Sequence, residues 1–196
     1  LIYLQITRGV AQRDFKFPKN VNSSIVITAK SISMENYHSK FENGIKVKTT
    51  MDLRWKRVDI KTLNLLPPVL AKQKAVESGC DEAWMVDTDG YITEGSSSNA
   101  WILIKDKLIT TPATTSILKG ITRTSLIKAL NKSNIKFVEK RFNKKDIKNS
   151  NEAFITSATQ FVMPVIKVDN IRVGKGKVGK YAHIFKNAYM EAIQLK

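Results

Sequence analysis

Short apolar segments separated by turn residues dominate this chain, and they restrict its fold more than any other feature of the sequence. Apolar and polar residues alternate at the start of the chain, where Ile2, Leu4 and Ile6 are apolar. This alternation is typical of a half-buried strand. Further short strands are predicted at 24–28, 44–50, 82–86, 91–94, 100–104, 108–110, 153–156 and 165–168. Because strands and helices do not alternate regularly, the order predicts a mixed α/β (α+β) fold rather than a doubly wound sheet.

Three longer helices are predicted among these strands. Pro67 and Pro68 suit the first turn of a helix that ends before Gly79. Its approximate apolar face consists of Leu66, Val69, Leu70 and Ala75. A second helix begins at Gly120, and its inward residues are expected to be Leu126, Ile127 and Leu130. The pattern over 181–193 predicts a closing amphipathic helix.

A polar stretch at 32–43 is interpreted as a linker between two domains. The chain begins as if in the middle of a strand and without an initiator Met, so residues 1–31 are expected to be the remnant of a small N-terminal domain whose first part is missing. Residues 44–196 are expected to form the large domain.

The net charge of +16 raises the question of a nucleic-acid partner. The lysines are scattered along the whole chain, and the densest basic stretch, 140–145, reads as a loop entering a short solvated helix. We therefore expect a solvated surface and no nucleic-acid partner. No apolar run approaches the roughly 18 residues of a membrane span. The single cysteine, Cys80, suits a reducing cytoplasm. No metal is expected.

The first candidate catalytic residue is Lys61, which lies just before the apolar start of the first predicted helix. A lysine that attacks an aldehyde must be partly deprotonated, and an apolar site favours that state. Glu94 ends a predicted strand and precedes a Gly-Ser-Ser-Ser-Asn turn. A carboxylate there could keep a pyridine nitrogen protonated. Each residue taken alone also fits an ordinary surface lysine or a solvated turn.

Two small-residue turns could bind an anion. The segment 118–123 leads into a helix, so its backbone N–H groups and the hydroxyl of Thr122 could hold a phosphate. The segment 156–159 follows a strand and could donate further amides. A plain helix cap at Gly120 would explain the first of these turns equally well.

Several blocks of sequence closely resemble the D-amino-acid transaminase group of the fold-type IV pyridoxal-phosphate (PLP) enzymes. The blocks are 52–73, 93–99 and 117–123, and the likeness runs from Ile2 to the last helix with the same order and spacing. The resemblance implies the large domain of that fold, a β-barrel-like strand core with flanking helices. It also implies transamination of amino acids to 2-oxo acids by a ping-pong mechanism, typically D-alanine and 2-oxoglutarate giving pyruvate and D-glutamate, in a cytoplasmic homodimer.

The resemblance also implies roles for particular residues. Lys61 would be the Schiff-base lysine and the proton shuttle, and Glu94 would pair with the pyridinium nitrogen of PLP. Leu118 would pack on the ring of the cofactor. The remaining cofactor-binding candidates surround the ring and the phosphate: Ser98, Asn99, Gly120, Ile121, Thr122, Ser157 and Ala158.

The substrate site departs from the family pattern. The segment from Ile2 to Arg13 resembles the one that traps the substrate carboxylate, and Tyr3 and Arg13 are the substrate-binding candidates. Phe15 stands where the family usually has a histidine, which leaves the D-specificity open. About the first third of the family's length is also absent from this chain.

Three alternatives remain open at this point. A branched-chain-amino-acid aminotransferase or an aminodeoxychorismate lyase would share the fold and would keep Lys61 and Glu94. The block from Arg54 to Leu66 favours the D-amino-acid type. A more distant alternative is a non-catalytic basic binding fragment.

Overall fold

A computed structural model describes residues 1–130 and 135–193. Residues 131–134 and 194–196 of the predicted large domain lie outside this description. The chain divides into two compact units, Leu1–Glu35 and Asn36–Lys196. Each unit is described by itself, and the domain limits expected from the sequence stay a prediction.

The first unit is an antiparallel hairpin of β1 (Ile2–Thr7) and β2 (Ser24–Ala29). Both predicted strands are present, but the apolar side chains of β1 are exposed rather than half-buried. A two-stranded hairpin has no second layer of its own to cover a face. In its long connection, Gly9 has a positive φ of 103°, and a Cβ there would lie 2.0 Å from the carbonyl oxygen of Asn22. Only glycine fits this turn.

The second unit contains the remaining elements. Its helices are α1 (Glu35–Asn43, beginning one residue earlier, in the first unit), α2 (Leu66–Glu77), α3 (Ile121–Leu130), α4 (Lys144–Lys148) and α5 (Lys180–Ile193). Its strands are β3 (Ile45–Met51), β4 (Glu82–Val86), β5 (Ile92–Gly95), β6 (Asn99–Ile104), β7 (Lys107–Thr110), β8 (Lys136–Glu139), β9 (Glu152–Ser157), β10 (Phe161–Val168) and β11 (Ile171–Arg172).

Among the described residues, nine strands of the second unit form one mixed sheet. Its order is β5-β4-β3-β10-β9-β6-β7-β8, and β11 pairs with β10. The pairs β3–β4, β3–β10 and β7–β8 are parallel, and the others are antiparallel. The sheet curls into a half-barrel, which confirms the predicted mixed α/β class. Strands β4 and β6 are buried on both faces, which explains their nearly continuous apolar sequences.

Helix α1 occupies most of the segment for which an irregular linker was expected. Tyr37 and Phe41 are four residues apart, so they share one face of the helix, and both are buried. Phe41 packs edge-on against His183 of α5, with ring centroids 5.1 Å apart. The polar composition of 32–43 therefore reflects the exposed face of a helix.

The main core lies between the sheet and the helices α1, α3 and α5, and its largest members include Trp84, Trp101 and Phe185. A smaller cluster joins α2 to β4 through Ala71, Ala75, Ala83 and Met85. Of the apolar face predicted for α2, Ala75 is buried, whereas Leu66, Val69 and Leu70 are exposed. No helix within residues 1–130 or 135–193 is both long and apolar enough to cross a membrane.

Candidate active site

A cavity of about 600 Å³ opens among the loops of the second unit, within the usual range for small-molecule sites. All ten residues predicted to bind the cofactor line it, although they come from six segments of the chain. They are Lys61, Glu94, Ser98, Asn99, Leu118, Gly120, Ile121, Thr122, Ser157 and Ala158. The fold thus gathers this set around one space, and the individual roles stay predictions.

Glu94 is the buried carboxylate of this cavity and lies in β5. Burial raises its pKa to about 7, and the neighbouring Arg54 guanidinium opposes the rise. Its Oε1 accepts hydrogen bonds from Arg54 and from the backbone N–H of Leu118, the latter at 3.1 Å. Its Oε2 accepts one hydrogen bond, from Asn99 Nδ2 at 2.8 Å. Since a carboxylate oxygen has two lone pairs, Oε2 can accept another donor.

Asn99 links this carboxylate to the start of α3. Besides its bond to Glu94, its amide donates to the carbonyl oxygen of Leu118 at 2.8 Å. Gly120 lies so close that a Cβ there would be 2.3 Å from Asn99 Oδ1. The glycine at this position is therefore required by close approach to Asn99.

Arg54 is a site residue that the sequence did not single out. It donates from Nε and Nη2 to the two carboxylate oxygens of Asp52, at 2.9 and 2.7 Å, and from Nη1 to Glu94. Only 9% of its side chain is exposed. The available signal was the Asp-x-Arg spacing itself, since a buried arginine needs a carboxylate partner.

Glu82 is a second residue that was missed. Its carboxylate is buried at the start of β4 and accepts hydrogen bonds from the hydroxyls of Ser96, Ser97 and Ser98. The turn itself is closed by a bond from Gly95 N to the carbonyl oxygen of Ser98, at 2.6 Å. Glu82 therefore fixes the serine turn that lines the cavity. A glutamate in an otherwise apolar buried strand could have indicated this role.

The start of α3 has the donors that the predicted anion site would need. The first intrahelical bond runs from Thr124 N to the carbonyl oxygen of Gly120, so the N–H groups of Ile121 and Thr122 precede it without intrahelical partners. Thr122 is 2% exposed, and its buried hydroxyl has no hydrogen-bond partner within the described structure. Because Thr122 lines the cavity, this hydroxyl is a candidate donor to a ligand bound there.

Ser157 and Ala158 follow β9 on the lining of the same cavity. Ser157 Oγ accepts a hydrogen bond from Gln160 N at 3.1 Å, which closes a tight turn. The preceding Thr156 accepts from Trp101 Nε1 at 2.9 Å, so the strand end is held by a core residue. The hydroxyl hydrogen of Ser157 remains available to a ligand.

Lys61 lies in the exposed segment that connects β3 with α2, and it lines the cavity. Within the described residues its ammonium makes no hydrogen bond or ion pair. Apolar side chains line the same cavity, among them Trp55, Val58, Leu65 and Leu118. The lysine is thus accessible at the lining of the cavity.

The two predicted substrate residues belong to the first unit. Tyr3 donates its hydroxyl to Gln5 Oε1 at 2.8 Å. The guanidinium of Arg13 lies 4.8 Å from the ring centroid of Phe15, and both side chains are exposed. Because the units are described separately, the roles of Tyr3 and Arg13 stay predictions.

The fold corresponds to that of the fold-type IV aminotransferases. A solved branched-chain amino acid aminotransferase of Escherichia coli superposes with a TM-score of 0.85 at 26% identity, over 97% of this chain and 64% of that one. A solved branched-chain amino acid aminotransferase of Thermobaculum terrenum, in its PLP form, gives a TM-score of 0.83 over 97% of this chain and 63% of that one. At 20% identity, the second likeness concerns the fold alone.

Residues 1–168 match the family described as amino-transferase class IV. The D-alanine aminotransferase of Staphylococcus aureus strain COL is 40% identical over 194 residues, covering 98% of this chain and 68% of the relative. The chain belongs to the class IV aminotransferases, whose cofactor is PLP. It spans about two thirds of the length of that relative.

The residues present fit this cofactor. The unpartnered hydroxyl of Thr122 and the N–H groups at the start of α3 suit a phosphate. The open lone pair of Glu94 Oε2 suits a protonated ring nitrogen. No methyl group fits between Gly120 and Asn99, so these two segments approach closely beside the cavity.

Proposed function

We propose that the whole protein is a PLP-dependent D-amino-acid transaminase that converts D-alanine and 2-oxoglutarate to pyruvate and D-glutamate by a ping-pong mechanism. The observation that carries this proposal is the convergence of Lys61, a buried carboxylate and an anion site on one cavity. The 40% identity to a D-alanine aminotransferase favours the D-amino-acid substrate over the branched-chain alternative, whose solved example is 26% identical.

When bound, PLP supplies an electron sink for the negative charge that develops at the substrate Cα. The N–H groups at the start of α3 and the Thr122 hydroxyl hold the phosphate, assisted by Ser157 and Ala158. Glu94, as a carboxylate, holds the proton on the ring nitrogen. Lys61 Nζ would attach the cofactor covalently and, when not attached, would move the proton between the substrate Cα and C4′ of the cofactor.

Substrate selection is assigned to Tyr3 and Arg13. A guanidinium can bind a carboxylate through two parallel hydrogen bonds, so Arg13 is proposed to orient the α-carboxylate. Phe15 cannot donate a hydrogen bond where relatives of this type usually have a histidine. The carboxylate site is therefore weaker or built differently here, which makes the substrate range the first property to measure.

A donor panel on the full-length protein tests the reaction. D-alanine, L-leucine and aminodeoxychorismate are supplied in turn with 2-oxoglutarate, D-glutamate is supplied with pyruvate, and product formation is followed. We expect turnover with the two D-amino acids. Turnover with L-leucine alone would replace the proposal with the branched-chain alternative, and pyruvate release from aminodeoxychorismate alone would replace it with the lyase.

The role of Lys61 is tested separately by spectroscopy. Lys61→Ala should remove the visible absorbance band of the protein-bound cofactor and abolish turnover, whereas Lys56→Ala, an exposed lysine of the same segment, should change neither. Persistence of the band in Lys61→Ala would assign the attachment to another lysine.

We further propose a cytoplasmic homodimer. Exposed apolar side chains cluster in sequence between 53 and 70, and the largest exposed fractions are 65% for Leu53 and 66% for Leu66. Such surfaces on soluble enzymes are usually covered by another subunit. The free thiol of Cys80 suits a reducing compartment. Native mass spectrometry of the full-length protein distinguishes a dimer from a monomer.

A further inference from the structure

Three charged side chains from two segments form a buried relay beside the cavity: Asp52, Arg54 and Glu94. We propose that Arg54, oriented by Asp52, is a positioning residue that favours the carboxylate form of Glu94 and directs its Oε2 to a cationic ring nitrogen. The inference rests on the proposed function for the identity of the ligand. Its geometry stands on the chain's own residues.

The orientation of Arg54 is fixed from three sides. Asp52 accepts two parallel hydrogen bonds from Nε and Nη2, at 2.9 and 2.7 Å, which is the strongest pairing geometry for an arginine. Nη2 also lies 3.3 Å from both Thr93 Oγ1 and the carbonyl oxygen of Ser116. With these contacts made, Nη1 is the nitrogen that donates to Glu94 Oε1.

Asp52 is itself held in place. Thr93 Oγ1 donates to its Oδ2 at 2.7 Å, and the backbone N–H of Arg54 donates to its Oδ1 at 3.1 Å. Thr93 precedes Glu94 in β5, so the same strand carries both the carboxylate and a donor that anchors its partner. The relay is therefore built into the junction between β5 and the loop after β3.

Arg54 is the cation that acts on Glu94 among the described groups. The other donors to Glu94 are the neutral Asn99 amide and the Leu118 backbone, and the other charge that acts on it is the carboxylate of Asp52. Burial raises the pKa of Glu94 to about 7, the Arg54 charge lowers it, and Asp52 raises it slightly. With Arg54 in place, a pKa of about 7 leaves Glu94 about half ionised at neutral pH. Without Arg54, burial and Asp52 would act together and the protonated form would predominate.

Protonation of Glu94 would change what the site can bind. A carboxylate attracts a protonated ring nitrogen, whereas a neutral carboxyl group supplies no charge for it. A second consequence is geometric, because Arg54 and Leu118 both hold Oε1 and leave Oε2 for the ligand. Loss of Arg54 would free the carboxyl group to rotate.

The decisive experiment measures Glu94 without any reaction. The cofactor-free full-length protein is labelled with ¹³C at the glutamate carboxyl carbon, the Glu94 signal is assigned by its absence in Glu94→Gln, and it is titrated by NMR. Arg54→Gln should raise the titration midpoint of Glu94 by about one to three pH units. The matched control is Arg57→Gln, since Arg57 is an exposed arginine of the same segment paired with Asp59 at 2.9 Å, and it should leave the midpoint unchanged.

Cofactor binding gives the second readout. Near neutral pH, the affinity for PLP should fall roughly tenfold for each pH unit by which the midpoint exceeds the pH of the assay. Arg54→Lys keeps the charge but cannot form the two-pronged contact with Asp52, so its midpoint should lie between those of the wild type and Arg54→Gln. This variant also serves if Arg54→Gln does not fold.

An unchanged Glu94 midpoint in Arg54→Gln, or in Arg54→Lys where the former does not fold, would overturn the inference. A midpoint in Arg54→Lys equal to that of the wild type would overturn the orienting role of Asp52. These results are independent of turnover, so absence of transamination across the donor panel would reject the proposed function while leaving the relay intact.

Discussion

Gly120→Ala tests whether the cavity depends on the close approach of α3 to Asn99. The added Cβ would lie 2.3 Å from Asn99 Oδ1, while the next nearest atoms are Asn99 Cγ at 3.5 Å and Arg123 Cβ at 3.8 Å. The φ angle of Gly120 is not positive, so the backbone accepts alanine without strain. The whole cost therefore comes from displacing Asn99.

The magnitude follows from the two hydrogen bonds that the Asn99 amide makes. Relief of the contact requires a shift of about 1 Å, which separates Nδ2 from Glu94 Oε2 and from the Leu118 carbonyl oxygen, both now at 2.8 Å. Loss of the bond to the charged acceptor costs about 1.5–3 kcal/mol, and loss of the neutral one about 0.5–1.5 kcal/mol. We expect Gly120→Ala to lower the free energy of unfolding by about 2–4 kcal/mol.

Urea unfolding of the cofactor-free protein measures this cost, and a double-mutant cycle identifies its cause. Asn99→Ala removes the same two bonds and also makes room for the methyl group. The double variant should therefore be no less stable than Asn99→Ala alone. Additive costs in the cycle, or a Gly120→Ala variant within about 0.5 kcal/mol of the wild type, would refute the steric reasoning.

Three further outcomes follow from the buried charges. Glu82→Ala should lower the free energy of unfolding by about 3 kcal/mol in urea titrations, because the hydroxyls of residues 96–98 lose their shared acceptor. Arg123→Met should cost about 1–2 kcal/mol by the same measurement, since the carbonyl oxygen of Thr111 loses a buried donor whereas the Glu139 side chain, 44% exposed, is solvated by water. Glu94 has a folded-state pKa of about 7, raised by burial from 4.5, so its contribution to stability is complete below pH 4.5 and is lost as the pH rises through 7. Between these limits the cofactor-free wild type should lose about 3 kcal/mol more than Glu94→Gln, as measured by urea unfolding at about pH 4.5 and about pH 8.

The strands of the large unit could be predicted from the sequence because burial on both faces leaves a direct mark on composition. The segments 82–86 and 100–104 were located within a residue of β4 and β6. Strand β8 was missed, since Lys-Phe-Val-Glu carries only two apolar residues and lies at the sheet edge.

Helix α2 shows why the orientation of an element is harder to predict than its existence. Its start at two prolines was recognisable, but its large apolar residues do not form the buried face of the helix. The helix packs through Ala71 and Ala75 because small side chains allow a close approach to β4. The position of the neighbouring strand decides this, and the helix sequence alone does not contain that information.

The pairing of Arg54 with Glu94 is hard to predict from the sequence for a similar reason. Its partners are two residues away, at Asp52, and forty residues away, at Glu94. A charged residue in a loop normally predicts exposure, and only the pairing across the loop and β5 makes burial possible. Lys61 and Glu94 could be nominated because they lie in blocks that resemble a family, and Arg54 lies in such a block without a recognised role.

Two buried carboxylates flank the same serine turn, and the difference between them argues for a cationic ligand. Glu82 is satisfied by the hydroxyls of residues 96–98 and by Ala83 N at 2.7 Å, so it is a structural anchor. Glu94 is also buried but faces the cavity with Oε2, which among residues 1–130 and 135–193 accepts a hydrogen bond from Asn99 alone. A protein that merely kept the fold would be more stable with an apolar or neutral residue there, because ionised Glu94 costs about 3 kcal/mol at neutral pH. That cost is offset when a positively charged group donates a hydrogen bond to Oε2. A protonated pyridine nitrogen can do this, whereas a nucleic-acid phosphate is negatively charged and cannot. The non-catalytic basic fragment therefore does not explain Glu94, whereas a PLP site does.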